Sequence, residues 1–95
     1  MPYYKVLNSK LLSGGIYGSK PLQYIIGKWV RDPNSITNEP LRGGLFVLNN
    51  KRSATILTKK RPTAVVYLCK IGRKLRETSY LTKTDRVMLI RRVKV

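Results

Sequence analysis

The chain has 95 residues and carries 20 Lys and Arg against 4 Asp and Glu, a formal net charge of +16. That length holds one domain, residues 1–95, with one modest core, because a short chain buries a smaller share of its surface than a long one. There is no histidine, the commonest general base and metal ligand, and the lone Cys69 supplies neither a disulfide framework nor a zinc ligand set; neither catalysis, nor a metal, nor a cofactor is expected.

In chain order, Tyr3 to Leu7 is aromatic and β-branched and is closed by Asn8-Ser9, which predicts a first strand. Ser13 to Pro21 contains Gly14, Gly15 and Gly18 and reads as a loop. Leu22 to Val30, rich in Ile, Trp and Val, predicts a second strand with a break at Gly27. From Asp32 to Gly44, turn-forming Pro, Asn and Gly residues predict a long surface loop. Gly44 to Leu48 returns to strand.

Asn49 or Asn50 can cap a helix that opens at Lys51-Arg52-Ser53, with Ala54, Ile56 and Leu57 as its apolar side and Pro62 as its stop. Thr63 to Ile71 is nearly apolar throughout, as a strand covered on both faces would be, and Cys69 within it reads as a buried thiol. Gly72-Arg73-Lys74 reads as a basic turn, and Arg76 to Leu81 and Arg86 to Val95 as two further strands. Alternation along the last of these sends Arg91 and Arg92 to opposite faces. The elements together predict an α+β fold: a small, mostly antiparallel β-sheet or barrel of five to six strands with one short helix packed on it.

The charge is uneven. Residues 1–50 carry +4 and residues 51–95 carry +12. Asp32, Glu77 and Asp85 each stand beside an arginine and read as ion pairs or turn formers, not as catalytic acids. Gly14-Gly15-Ile16-Tyr17-Gly18-Ser19-Lys20 has glycines and a lysine, as phosphate-binding loops do, but its spacing is not that of a Walker loop. No apolar stretch approaches the roughly 20 residues that span a bilayer, and the N-terminus lacks a continuous apolar segment, so an intracellular protein away from membranes is expected.

Three basic clusters remain. Lys51, Arg52, Lys59, Lys60 and Arg61 bracket the predicted helix; Arg73, Lys74 and Arg76 follow the Thr63 to Ile71 strand; Arg91, Arg92 and Lys94 lie on the last. Tyr80, between Arg76 and Lys83, is the best placed aromatic for exposure, with Tyr17 second, whereas Trp29 and Phe46 fall in strand patterns and are expected in the core. The expected function is non-catalytic binding of a polyanion, led by nucleic acid, RNA ahead of DNA, through phosphate contacts from these cations other than Lys94, with Tyr80 beside them. The expected partner is RNA, DNA or a ribonucleoprotein. The alternative is an interaction protein that inhibits a host nucleic-acid machine by binding a protein partner with an acidic surface.

Tyr4-Lys5-Val6-Leu7, Gly14-Gly15, Gly27-Lys28-Trp29, Gly44-Leu45-Phe46-Val47, Val66-Tyr67-Leu68 and Leu89-Ile90-Arg91-Arg92-Val93 resemble, as short words spread over the whole chain, small bacteriophage-encoded proteins of uncharacterised function. The order of elements also resembles a pared-down ADP-ribosyltransferase-type sheet. The resemblance implies a viral origin and an anionic-ligand cleft. The chain departs from that pattern where catalysis would need it: the first strand has no His or Arg, and no Glu stands near Thr82 to Thr84.

Overall fold

The computed structural model describes residues 2–12, 22–31 and 45–94. The Ser13–Pro21 loop, Tyr17 and the Asp32–Gly44 loop lie outside the described residues. Period-two alternation builds most of what is described: β1 (Tyr3–Leu7), β2 (Trp29–Arg31), β3 (Leu45–Leu48), β4 (Val65–Ile71), β5 (Lys74–Glu77), β6 (Leu81–Thr84) and β7 (Arg86–Val93), with one helix, α1 (Lys51–Lys60), between β3 and β4. The strands form one antiparallel sheet in the order β2-β7-β4-β1-β3-β6-β5. Seven strands replace the expected five to six, and the pairing order is open, with β2 and β5 at its ends.

The extra strands come from bending. β4 and β5 are separated only by Gly72-Arg73, and β6 and β7 only by Asp85, so residues 65–77 and 81–93 are the two arms of one hairpin with a kink in each arm. The kinks face each other: the amide of Asp85 donates to the carbonyl of Arg73, the amide of Gly72 donates to that of Arg86, and the Asp85 carboxylate accepts from the Arg73 amide at 2.7 Å. Beyond the kinks the hairpin halves join different parts of the sheet, β7 pairing with β2 and β6 with β3. A sheet whose second and sixth strands are joined by one residue has to coil on itself. Gly72-Arg73-Lys74 is therefore a bend and not the expected turn. Chain reversal falls instead at Thr78–Tyr80, inside the segment expected to be a strand, where the Thr78 hydroxyl accepts from the Leu81 amide.

Each face of the coiled sheet has its own apolar cluster. The concave face holds Leu7, Leu45, Val47, Tyr67, Cys69, Val87 and Leu89, closed over by Tyr24, with the wholly buried Thr82 and Thr84 on the same side. The convex face holds Tyr4, Leu48 and Val66 under Ala54 of α1, flanked by Leu57, Leu68, Leu81 and Val93. Cys69 is buried as expected, and burial pushes its thiol up to about 12, against the pull of nearby Lys5. Lys5 is the anomaly of the concave core. It is 9 % exposed, its ammonium donates to the Phe46 carbonyl at 2.6 Å and lies 5.4 Å from the Tyr24 ring centre, and burial lowers it to about 8.

The helix begins as expected, with the Asn50 side chain accepting from the Ser53 amide at 2.8 Å, and ends before Pro62. Ile56, expected on its apolar side, is 48 % exposed, because Ala54 and Leu57 already define the buried face. In β7 the register shifts between Leu68 and Cys69 of its partner β4, so Ile90 is an extra residue. The bulge moves the following residues out of phase: Leu89 is concave-side, whereas Val93 packs beneath the helix. The second expected strand shrinks to Trp29–Arg31, preceded by Gly27 at φ 82°, a conformation that favours glycine. β7 lies between β2 and β4 and is not an edge strand.

Candidate nucleic-acid interface

The convex face outside the helix footprint presents an aromatic ring among cations. Across three adjacent strands, Phe46 of β3 is paired with Lys83 of β6, and Lys83 with Arg76 of β5. Phe46 shares its sheet face with neither Leu45 nor Val47, both buried, and is itself 45 % exposed. The Lys83 ammonium stands 6.0 Å from the Phe46 ring centre, within reach of a cation–π attraction. Phe46, Arg76, Thr78, Leu81 and Lys83 line a shallow depression.

The reversal that carries Tyr80 is tied to the start of the helix. The Asn49 amide donates to the Tyr80 carbonyl at 3.1 Å, the Asn49 side chain donates to the Thr78 carbonyl at 3.1 Å, and Asn50 in turn donates to the Asn49 side chain at 3.0 Å. This net fixes Tyr80, 52 % exposed, beside the helix end from which Lys51 and Arg52 project. Both cations are exposed. They occupy the first turn, where no acidic residue stands and where the helix dipole already makes the backbone positive. Lys59, Lys60 and the capping Arg61 sit at the other end, where that dipole favours them.

All eleven residues singled out in the sequence are exposed, but they do not form one surface. Arg76 lines the Phe46 depression; Tyr80 is held by its backbone to Asn49, just ahead of the helix start that carries Lys51 and Arg52; and Lys59, Lys60 and Arg61 stand at the far end of that helix. Arg91 is paired with Leu68 and so shares the helix-bearing face, while Arg92 is paired with the concave-side Tyr67; the two point apart as expected. Arg73 lies in the kink. Lys74 belongs to the concave side, opposite Thr84, and its ammonium meets the Glu77 carboxylate at 2.7 Å. Glu77, then the Tyr3 hydroxyl, raise the Lys74 ammonium above the ordinary lysine value, and Lys74 lowers Glu77 in return. A lysine held this way offers less free charge than its neighbours.

Sequence reasoning missed Phe46, Lys83, Trp29 and Arg86. Trp29 is 44 % exposed, and the Arg86 guanidinium stacks 4.7 Å over its ring centre. The available signal for Phe46 was the pattern Leu45-Phe46-Val47-Leu48, in which alternation puts Phe46 and its two neighbours on opposite faces. Among the described residues no group of three or more Cys, Asp or Glu side chains could hold a metal ion, and no helix is long and apolar enough to cross a membrane. No protein-family model, curated protein or solved structure matches the chain.

Proposed function

We propose that this chain is a non-catalytic nucleic-acid-binding domain that takes single-stranded segments, RNA ahead of DNA, with phosphates on its cations and a base on Phe46. The observation that carries this reading is the convex-face group of Phe46, Lys83 and Arg76, with Tyr80 held by its backbone to Asn49 just before the helix start that carries Lys51 and Arg52. Exposed aromatics serve bases because every base has a π-face, and surrounding cations serve the backbone. The placement of two cations on the positive end of α1 supports the same reading. Each costs the isolated helix up to about 1 kcal/mol, a local conflict of the kind that function maintains.

The test is fluorescence anisotropy with labelled single-stranded RNA, single-stranded DNA and duplex DNA over about 50 to 300 mM salt. Log affinity should fall linearly with log salt at a slope of roughly −4 or steeper, as when about five or more phosphates are neutralised. Phe46→Ala should weaken single-strand binding by about 5- to 150-fold, the worth of one stacked base, with the salt slope unchanged. Lys83→Ala should instead flatten the slope by about 0.7 to 0.9. Absence of binding at physiological salt overturns the reading. A second reading, a phage-type protein that inhibits a host nucleic-acid machine by binding a protein partner, draws on the exposed Ile25, Ile26 and Ile90; selective, salt-resistant affinity for one protein would favour it.

A further inference from the structure

We propose that Trp29, backed by Arg86, is a second base-stacking subsite on the same single-stranded ligand, reached from Phe46 along the cationic arm Lys83 to Arg86. The inference rests on the nucleic-acid reading above and adds where the strand runs. Trp29 is paired with Met88, and Arg31 with Arg86, so ring and guanidinium lie on the convex side of β2 and β7, across from the buried Val87 and Leu89. One face of the indole is covered by the Arg86 guanidinium at 4.7 Å. The exposure that remains therefore belongs to the other face and the edge. A ring sandwiched on one side by a cation is held in place before a base arrives, which removes part of the ordering cost of stacking.

Arg86 is itself positioned by the kink. A Cβ at Gly72 would collide with the Cγ and Nε of Arg86 and with the Asp85 carboxylate, so the side chain lies in space that only glycine leaves free. The Arg86 Nε is buried there without a hydrogen-bond partner.

The two subsites are joined through β6 and β7. Phe46 faces Lys83 across one strand step, Lys83 and Arg86 are three positions apart, and Trp29 lies one strand step beyond β7. With about 4.8 Å per strand step and about 3.3 Å per residue, the backbone path from Phe46 to Trp29 is roughly 26 Å. At about 3.4 Å per stacked nucleotide that distance is covered by roughly seven nucleotides, inside the range of about 4 to 16 that small β-domains engage. The path carries Lys83 and Arg86, with Arg31 and the exposed Lys70 on the same face. Of the two carboxylates among the described residues, Glu77 is paired with Lys74 on the concave side, and Asp85, in the kink beside Arg86, accepts from the Arg73 amide. That charge balance favours a polyanion over a protein on this ring.

The chain has one tryptophan, so its emission reports this subsite alone. Oligouridylates of increasing length are titrated against the full chain, reading indole emission and, in parallel, the anisotropy of a labelled oligomer. Saturable quenching should follow the anisotropy isotherm, and affinity should rise steeply up to about seven nucleotides and level off beyond. Trp29→Leu should weaken the long oligomers by about 5- to 150-fold while leaving a four-nucleotide oligomer on Phe46 unchanged and the salt slope intact. Trp29→Phe should restore most of the loss, which separates stacking from any change in the fold. Binding that persists with no change in emission and no effect of Trp29→Leu overturns the second subsite and leaves the Phe46 site standing. Absence of binding by anisotropy overturns both.

Discussion

Lys5 shows how one residue can oppose the fold that contains it. Alternation along β1 places it on the concave side with Tyr3 and Leu7, paired with Tyr67, and its ammonium finds the Phe46 carbonyl and the Tyr24 ring but, among the described residues, no carboxylate partner that offsets desolvation. Its folded value is lowered from 10.5 to about 8. Below about pH 8 both folded and unfolded chains hold the proton, and the folded state carries the full cost of a buried charge. Between about pH 8 and 10.5 the unfolded chain binds more protons, so stability rises with pH, by about 3 kcal/mol across the window. Urea denaturation of wild type and Lys5→Met at pH 7 and pH 10 should show the wild type gaining stability relative to the variant, which loses stability above about pH 9 as the unfolded chain releases the Cys69 proton, with the variant the more stable at pH 7. Equal pH responses would mean that the Lys5 ammonium reaches water.

At the scale of elements, α1 is built for packing on one side and against its own dipole at one end. Ala54 and Leu57 cover Tyr4, Leu48 and Val66, and the Asn50 cap secures the first turn, but Lys51 and Arg52 then sit where acidic residues would stabilise it. Arg52→Glu should therefore raise stability by about 0.5 to 1 kcal/mol while weakening single-stranded RNA at least tenfold, read by thermal denaturation and anisotropy on the same sample. Stability and binding moving together would mean that Arg52 makes a fold contact instead. The long hairpin makes the complementary point. Its kinks at Gly72-Arg73 and Asp85 bring β6 and β7 into different parts of the sheet, so Lys83 and Arg86, three positions apart, serve the two ends of one proposed path.

For the whole molecule the dominant quantity is a charge of +16 on 95 residues. Self-repulsion at that charge works against the compact state, and anything that screens or neutralises it stabilises. The melting temperature should rise by about 5 °C between roughly 50 mM and 0.5 M sodium chloride, the shift that about 1 kcal/mol produces in a domain of this size, and by more with a saturating single-stranded oligomer at low salt. Calorimetry that found no salt dependence would mean that the cations are spaced too widely to repel.

Much of this was legible in the residues. Composition excluded histidine-based chemistry and a disulfide within the chain, aromatic, β-branched and apolar runs marked β1, β3 and β4, Asn50 and Pro62 bounded the helix, and the basic runs are exposed because burying a charge is costly. These are local properties, readable from neighbours in the chain. What the tertiary structure decided is non-local: the kinks that turned two arms into four strands, the bulge at Ile90 that reversed the phase of β7, the burial of Lys5, and the exposure of Phe46 and Trp29. Alternation says that Phe46 and Val47 face opposite ways, but not which face the helix will cover or how far its footprint extends. That depends on the coil of the sheet and on a helix only ten residues long, which leaves Phe46 uncovered among cations contributed by strands far apart in sequence.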